Sequence, residues 1–366
     1  MSINVLVISN YRDYHSTRPE ASIFKGLSEK GFNVHVMTYG DSKHVPEFKQ
    51  AGVTVVDFHP EKKFDKGEVQ RIRKYVITHK IDVLHLFNGK AIINGIKATK
   101  KLPVKILLYR GYAGNINWWD PTAYWKYLNP RVDNIFCNSI GVEEYIQSKG
   151  VFVTPKTITI NKGHNVEWYE GYEPYDIKKE LGIPEDSFLL VNVANNREMK
   201  GINFLLEGFN EISNELPIHL LLVGNDMDNE QNQKILGQGD KKNHVHFLGH
   251  RKNVLNIVSS TDVFVLSSIY GESITKSVIE AMSLSVAPII TDIPGNTELV
   301  VQNESGLIVP SRNGRVLREA ILKLYNDRAL CNKLGQNARK RIATVLNHTQ
   351  TIEKTKKMYE DLFKSN

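Results

Sequence analysis

The chain has 366 residues, of which 41% are hydrophobic and 24% charged, and only two are cysteines. These values are ordinary for a globular protein, and the length suits two domains. No apolar run approaches the roughly 20 residues that span a bilayer, and the start MSINVLVISN lacks the basic region and cleavage site of a signal peptide. We therefore expect a cytoplasmic protein with reduced thiols.

The net charge of +7 is concentrated in the first half of the chain. Residues 1–170 hold 24 Lys and Arg against 16 Asp and Glu, and the stretches 71–74 (RIRK) and 97–105 (KATKKLPVK) carry part of the excess. A solvated basic face explains this pattern, and so does attraction to an anionic surface or acceptor. Nucleic acid is a weaker alternative, because the sequence has no recognisable nucleic-acid-binding motif.

Short apolar runs alternate with stretches of helical length through the first half. The predicted strands are 3–8 (INVLVI), 33–38 (NVHVMT), 53–58 (VTVVDF), 82–87 (DVLHLF), 104–109 (VKILLY) and 132–137 (VDNIFC). Nearly continuous β-branched strands joined by amphipathic helices indicate a parallel sheet that is covered on both faces.

The same alternation restarts after a stretch rich in Gly and Tyr, residues 161–176 (NKGHNVEWYEGYEPYD), which we interpret as a linker. The later strands are predicted at 188–194 (FLLVNVA), 218–223 (IHLLLV), 244–248 (HVHFL), 262–266 (DVFVL) and 286–291 (VAPIIT). The fold class predicted is α/β, with two Rossmann-like, doubly wound parallel-sheet domains facing across a cleft.

The stretch 271–282 (GESITKSVIEAM) carries two glutamates, Glu272 and Glu280, with seven residues between them. We predict a helix that begins near Ile274 with Ser273 as its N-cap. The backbone amides of Ser273, Ile274 and Thr275 would then lie at the positive end of a helix, where a phosphate or sugar hydroxyl binds readily. Glu280 lies in an apolar segment and needs a hydrogen-bonding partner, for which a ribose diol is one candidate.

The segment SSIYGESITKSVIEAMSLSVAPIITDIPGNTELVVQNESGLIVP resembles the donor-site signature of the retaining glycosyltransferases of family four. The segments DVLHLFN, TITINKGHN and TDVFVLSS extend the resemblance over most of the chain. It implies the GT-B fold, with residues 1–162 and 346–366 forming an acceptor-binding domain and 163–345 a donor-binding domain.

The resemblance also implies roles for individual residues. Glu272 would bind the donor sugar and Glu280 the ribose, and the amides of Ser273, Ile274 and Thr275 would contact the sugar and diphosphate. The family places an Arg and a Lys after the first strand of the second domain, where they neutralise the diphosphate. Lys200 matches this lysine, but the usual arginine position is Asn195, so we assign the role to Arg197.

Further candidates lie in loops at the carboxyl ends of predicted strands. Gly224 follows a strand of the second domain, and we add it to the donor-binding residues. In the first domain Arg110 is a candidate for phosphate contact, although the family commonly has a His-Gly pair there. The acceptor-side candidates are His15, Arg18, His85, Asn115 and Trp118, with core packing as the alternative for His85 and for the aromatic run around Trp118.

We therefore predict a retaining, hexosyltransferase-type enzyme that moves a sugar from a nucleotide-sugar donor to a hydroxyl of a glycan or lipid-linked acceptor. The resemblance points to bacterial surface polysaccharide or lipopolysaccharide synthesis, in the cytoplasm or at the inner face of the plasma membrane. No nucleic acid, cofactor or metal is expected, since the sequence has neither GxGxxG after a strand nor metal-ligand spacing. A sugar-nucleotide epimerase of the same fold and a non-catalytic sugar-nucleotide or glycan-binding protein are the alternatives.

Overall fold

A computed structural model describes residues 2–364 of the chain, so Met1, Ser365 and Asn366 lie outside the described residues. The chain divides into two compact units. Unit 1 contains the residues up to Gly163 and those from Asn347 onward, and unit 2 spans His164–Leu346. Each boundary between the units lies one residue later in the chain than the sequence analysis predicted. The acceptor-binding and donor-binding roles of the two units stay predictions.

Within residues 2–364 the structure has thirteen strands, all paired in parallel. The strands are β1 (Asn4–Ile8), β2 (Asn33–Thr38), β3 (Thr54–Asp57), β4 (Val83–Leu86), β5 (Lys105–Arg110), β6 (Asn134–Cys137), β7 (Thr157–Thr159), β8 (Phe188–Val193), β9 (Ile218–Val223), β10 (Val245–Gly249), β11 (Val263–Leu266), β12 (Ala287–Thr291) and β13 (Leu307–Val309).

The same residues contain thirteen α-helices and several short 3₁₀ turns. The helices are α1 (Tyr14–Glu29), α2 (Val45–Gln50), α3 (Lys66–Thr78), α4 (Gly89–Ala98), α5 (Ile140–Gln147), α6 (Ile177–Leu181), α7 (Ile202–Asn210), α8 (Glu230–Leu236), α9 (Val254–Val258), α10 (Lys276–Ser283), α11 (Gly314–Asn326), α12 (Arg328–Thr344) and α13 (His348–Lys364). No helix within residues 2–364 combines the length and the apolar character that crossing a bilayer requires.

The sheet of unit 1 has the order β3-β2-β1-β4-β5-β6-β7. Alternate residues of each strand enter apolar clusters on opposite faces: Leu6 and Ile8 pack on one side, and Val5 and Val7 on the other. Helix α13 belongs to this unit and packs against α1. Both faces of the sheet are therefore covered by helices, as the continuous apolar strands require.

The sheet of unit 2 has the order β10-β9-β8-β11-β12-β13. It too has an apolar cluster on each face, with Leu190 on one side and Leu189 and Val191 on the other. The predicted fold class of two doubly wound α/β units is confirmed. Two strands that the sequence did not predict, β7 and β13, are three residues long and form one edge of each sheet.

Candidate functional site

The strand order of unit 2 reverses between β8 and β11, which are neighbours in the sheet but far apart in the chain. In open parallel sheets such a reversal opens a crevice at the carboxyl ends of the two strands, and ligands bind there. The loop after β8 carries Arg197 and Lys200, and the loop after β11 carries Glu272. The fold therefore brings together candidate residues from two distant parts of the sequence.

Glu272 lies at the centre of a nearly buried polar cluster. Its carboxylate forms an ion pair with the Lys200 ammonium, and the two side chains are only 11% and 17% exposed. The Ser268 hydroxyl donates a hydrogen bond of 2.8 Å to the same carboxylate oxygen, and Thr275 Oγ1 lies 3.3 Å from the other. Three partners thus hold the Glu272 carboxylate at the switch point of the sheet, where the strand order reverses between β8 and β11.

The start of α10 differs from the sequence prediction. The helix begins at Lys276, and its N-cap is Thr275 rather than Ser273. Thr275 makes no side-chain cap bond because its hydroxyl donates to Asn296 Oδ1 at 2.7 Å and contacts Glu272. The first amide that bonds back is Val278 N, to Thr275 O. The amides just before Val278, rather than those of Ser273 and Ile274, are the ones at the positive helix end.

Glu280 lies in α10, one turn after Lys276, and the two side chains form an ion pair of 2.5 Å. The Glu280 side chain is 13% exposed, whereas the lysine side chain is 41% exposed. The hydrogen-bonding partner that this glutamate needs is therefore present in the protein itself. Its predicted contact with a ribose diol stays a prediction, because a ligand diol would have to share or replace the lysine.

Arg197 and Asn195 have different environments in the loop after β8. Arg197 is exposed, and its guanidinium makes no hydrogen bond or ion pair within residues 2–364. Asn195, at the position where the family usually has arginine, accepts a hydrogen bond from Asn225 N at 3.0 Å. Asn195 therefore joins the loops after β8 and β9. Arg197 is the basic residue of the loop after β8 that has no acidic partner within residues 2–364.

Asn296 is a site residue that the sequence analysis missed. Its side chain is fully buried and accepts from Thr275, but its Nδ2 has no hydrogen-bond partner among the described residues. The preceding Gly295 has a φ of 89°, and a Cβ there would lie 2.8 Å from Ser273 Cα. Only glycine allows this loop to approach Ser273 so closely. The Pro-Gly pair before Asn296 is the sequence feature that could have indicated this tight turn.

Gly224 shapes a cavity of about 530 Å³ at the carboxyl ends of β9 and β10, within the usual range of about 300–1,000 Å³ for ligand pockets. The cavity is lined by residues 224–228, Phe247 and Gly249. Gly224 N already donates to Gly249 O at 2.8 Å. A Cβ on Gly224 would lie 1.9 Å from Ala194 O, so glycine is needed where β9 passes the loop after β8.

Two candidates in unit 1 have structural partners. His85 is 1% exposed, its Nδ1 lies 2.7 Å from the Tyr359 hydroxyl of α13, and burial lowers its pKa to about 3. Arg110 is also buried, and its guanidinium donates to the carbonyls of Tyr112 and Gly114 and stacks on the Tyr112 ring. Both side chains are thus engaged within unit 1, His85 in the core and Arg110 in the loop that it shapes. Their proposed contacts with donor or acceptor stay predictions.

The other acceptor-side candidates of unit 1 are at the surface or half-buried. Helix α1 begins at Tyr14, so His15 and Arg18 lie on its first two turns rather than in a loop. His15 is exposed, and Arg18 is half-buried near the Tyr14 ring. Asn115 is exposed with a φ of 56°, and Trp118 is exposed in the same long loop after β5.

Unit 1 also contains a buried carboxylate that the sequence analysis missed. Glu20 accepts a hydrogen bond of 2.6 Å from the Ser9 hydroxyl and lies 3.8 Å from the Lys162 ammonium. Burial raises the pKa of Glu20.

In the part of the chain that the structure describes, no three His, Cys, Asp or Glu side chains are grouped so that they could hold a metal ion.

Two doubly wound parallel-sheet α/β units agree with the GT-B fold that the resemblance implied. Two family models match the chain: Glycosyltransferase Family 4 over residues 21–167, and Glycosyl transferases group 1 over residues 175–341. The chain therefore belongs to the glycosyltransferase family that these two models together describe.

Individual relatives extend along most of the chain. EpsD of Bacillus subtilis (strain 168), named as a glycosyltransferase, is 25% identical over 367 residues, covering 95% of this chain and 94% of that protein. The Escherichia coli UDP-Gal:alpha-D-GlcNAc-diphosphoundecaprenol alpha-1,3-galactosyltransferase is 24% identical, covering 64% and 56% of the two chains. The structure of Anabaena Alr3699/HepE in complex with UDP superposes with a TM-score of 0.76 at 16% identity, covering 99% and 100%.

Proposed function

We propose that this protein is a retaining, hexosyltransferase-type glycosyltransferase whose donor is a nucleotide sugar. The observation that carries the proposal is the Lys200–Glu272 pair beside the start of α10, at the switch point of the unit 2 sheet. A cation, a carboxylate and a helix N-terminus in one place supply contacts for a diphosphate and for sugar hydroxyls. The relative that binds UDP supports the same donor class.

In the proposed reaction the bond between the anomeric carbon and the diphosphate oxygen breaks, and a bond to the acceptor oxygen forms on the same face. The proton of the acceptor hydroxyl passes to the departing phosphate oxygen, so no protein base is required. Lys200 and the exposed Arg197 stabilise the charge that develops on the diphosphate. Glu272, released from Lys200 as the phosphate binds, accepts hydrogen bonds from the donor sugar.

The donor's remaining parts have candidate contacts in unit 2. We assign the ribose to Glu280 and a further part of the nucleoside to the cavity beside Gly224. Lys200, Arg197 and the helix end would supply the positive charge without a metal ion. Turnover should therefore persist in the presence of a chelator, and loss of turnover that added Mg²⁺ restores would contradict this part of the proposal.

The acceptor is proposed to be a hydroxyl of a glycan or lipid-linked saccharide in bacterial surface polysaccharide synthesis. The Escherichia coli relative named above acts on a diphosphoundecaprenol-linked sugar. Both cysteines are free and buried, which agrees with a reducing cytoplasm. A peripheral position on the inner face of the plasma membrane would bring the enzyme to such an acceptor.

The test is a thermal-shift panel of nucleoside diphosphates and nucleotide sugars, followed by turnover with the stabilising donor. A bound ligand raises the melting temperature in proportion to its affinity and concentration. We expect one base to stabilise the wild type and to stabilise a Lys200→Ala, Arg197→Ala variant less. If no nucleotide stabilises the wild type, the proposed donor class is wrong.

A further inference from the structure

The Thr275 hydroxyl has one proton to donate and two side-chain oxygens within reach. Asn296 Oδ1 lies 2.7 Å from Thr275 Oγ1, and Glu272 Oε2 lies 3.3 Å from it. The shorter contact takes the proton, so the Thr275 and Glu272 oxygens face each other without a proton between them. Since Thr275 and Asn296 are both buried, the protein itself decides which of the two acceptors receives the hydrogen bond.

The Asn296 amide is used at only one of its two ends. Its Oδ1 accepts from Thr275, whereas its Nδ2 is buried without a hydrogen-bond partner within residues 2–364. A half-turn about the Cβ–Cγ bond exchanges the two ends of an amide in nearly the same volume. Nδ2 would then donate to Thr275 Oγ1, and the Thr275 proton would be available to Glu272. The carbonyl oxygen left unpaired by this turn is better tolerated than an unpaired N–H.

The backbone around Asn296 is fixed, so its amide is the part that can turn. Asn296 N donates to Ile293 O at 3.2 Å, and Leu299 N donates to Asn296 O at 2.9 Å. The preceding Gly295 is packed directly against the backbone of Ser273. These contacts hold the amide beside Thr275 in either of its two orientations.

The two oxygens of the Glu272 carboxylate have unequal partners. Lys200 Nζ and the Ser268 hydroxyl both contact Oε1. Oε2 has no partner within residues 2–364 other than Thr275. In the proposed reaction Lys200 turns to the diphosphate, which would leave Glu272 held by Ser268 at one oxygen alone. A hydrogen bond from Thr275 to Oε2 would then fix the carboxylate from both sides.

We propose that Asn296 is a positioning residue for the donor sugar. As Lys200 leaves Glu272, the Asn296 amide turns and directs the Thr275 proton to Glu272 Oε2. The carboxylate thereby keeps its orientation towards the sugar after it has lost its cation. The inference rests on the proposed function, because it requires Glu272 to contact the donor sugar, but it assigns a role to a residue that touches neither substrate.

The test compares two ligands that differ only by the sugar. The full chain is titrated in a calorimeter with UDP, GDP, UDP-glucose, UDP-galactose, UDP-N-acetylglucosamine and GDP-mannose, and the tightest nucleotide sugar is paired with its own diphosphate. Asn296→Ala should weaken the nucleotide sugar at least about tenfold, as expected for one hydrogen bond to a charged group, and the diphosphate less than about twofold. A residue needed only for folding would not distinguish the two ligands.

Substitutions of Thr275 test the middle of the relay. Thr275→Val removes the hydroxyl with little change of shape, and no helix-cap bond is lost because this side chain makes none. It should cause the same selective loss, whereas Thr275→Ser keeps the hydroxyl and should bind like the wild type. Combining Asn296→Ala with Thr275→Val should add nothing to either single loss. In a Glu272→Gln background, Asn296→Ala should no longer affect sugar binding, because Asn296 acts through the glutamate.

The matched control is Asn210→Ala, at the last residue of α7. Asn210 Nδ2 donates to Ile235 O at 2.7 Å, and its Oδ1 is also buried without a hydrogen-bond partner among residues 2–364. The control therefore loses a comparable hydrogen bond in unit 2 but should leave both affinities unchanged.

Several outcomes would overturn the inference while leaving the proposed function intact. They are equal weakening of both ligands by Asn296→Ala, additive losses with Thr275→Val, a Thr275→Ser variant as weak as Thr275→Val, and a control that loses sugar affinity equally. In each of these cases the wild type still binds the nucleotide sugar. A wild type that binds none of the six nucleotides would instead refute the proposed donor class, and the role of Asn296 would be refuted with it.

Discussion

Replacing Lys200 with alanine removes one partner of the most buried ion pair in the candidate site. The Glu272 carboxylate would keep the Ser268 hydroxyl and the weaker Thr275 contact, but it would lose the only cation that pairs with it within residues 2–364. Breaking a fully buried pair costs about 3–5 kcal/mol. With two hydroxyl partners left and some exposure of both side chains, we expect a loss of about 1–3 kcal/mol in the free energy of unfolding.

For a unit of 183 residues, this loss corresponds to a fall in melting temperature of about 2–12 °C. Turnover should also fall, by about 100- to 1,000-fold, because in the proposed reaction the lysine stabilises the charge that develops on the leaving diphosphate. The matched control is Arg315→Ala, which removes an exposed ion pair with Glu319 in α11. An exposed pair of this kind contributes well under about 1 kcal/mol, so stability and turnover should both stay close to the wild type.

The double variant Lys200→Ala, Glu272→Gln separates the two effects. Removing the charge of Glu272 makes the lysine unnecessary for stability, so the double variant should unfold closer to the wild type than Lys200→Ala does. Its turnover should stay low, because neither charge is available to the donor. Additive losses of stability would show that the two side chains do not interact, and wild-type turnover in Lys200→Ala would exclude the lysine from the reaction.

Three further predictions concern other parts of unit 2. Glu280→Ala should weaken nucleoside diphosphate binding by about 1–3 kcal/mol in calorimetry, since a charge-assisted hydrogen bond is lost, and an unchanged affinity would remove Glu280 from the site. Gly295→Ala should lower stability and donor affinity, because its Cβ would collide with Ser273. The control is Gly171→Ala, at a glycine that also has a positive φ of 82° but has open space around it. This control should cost only about 1–2 kcal/mol of backbone strain. Burial, reinforced by two neighbouring histidines, lowers the pKa of His219 to about 4, so the unfolded chain takes up protons first and stability should fall as the pH drops from about 6.5 towards 4. A His219→Gln variant should melt with a flatter pH dependence over that window, and an equally steep one would refute this reading.

The sequence predicts the architecture well because buried parallel strands leave a strong signal. Eleven apolar runs became strands with bounds shifted by at most two residues. The two strands it missed, β7 and β13, have three residues each, and β7 is half-buried along its whole length. So short a run at the edge of a sheet has neither the length nor the full burial on which the prediction rests.

Site details were harder to predict because they depend on contacts between distant loops. Ser273 looked like a helix cap, but the Thr275 hydroxyl is engaged by Asn296, more than twenty residues away, and the helix starts later. The partner of Glu280 was visible as a lysine four residues earlier, which is the spacing of a helical ion pair. The burial of His85 depends on Tyr359 from the other end of the chain, and no local pattern contains that information.

The opposite charges of the two units bear on how the proposed anionic donor and an anionic surface would be bound. Unit 2 carries a net charge of −4, so its overall field opposes a nucleoside diphosphate. We therefore expect donor binding to depend on cations in direct contact, Lys200 and Arg197, together with the end of α10. Exposed charges are screened over about 10 Å at 0.1 M salt, which leaves such contacts largely intact but weakens the attraction of unit 1 for a surface. Salt should thus act differently on the two proposed interactions, weakening any attraction of unit 1 to an anionic surface before it releases the donor.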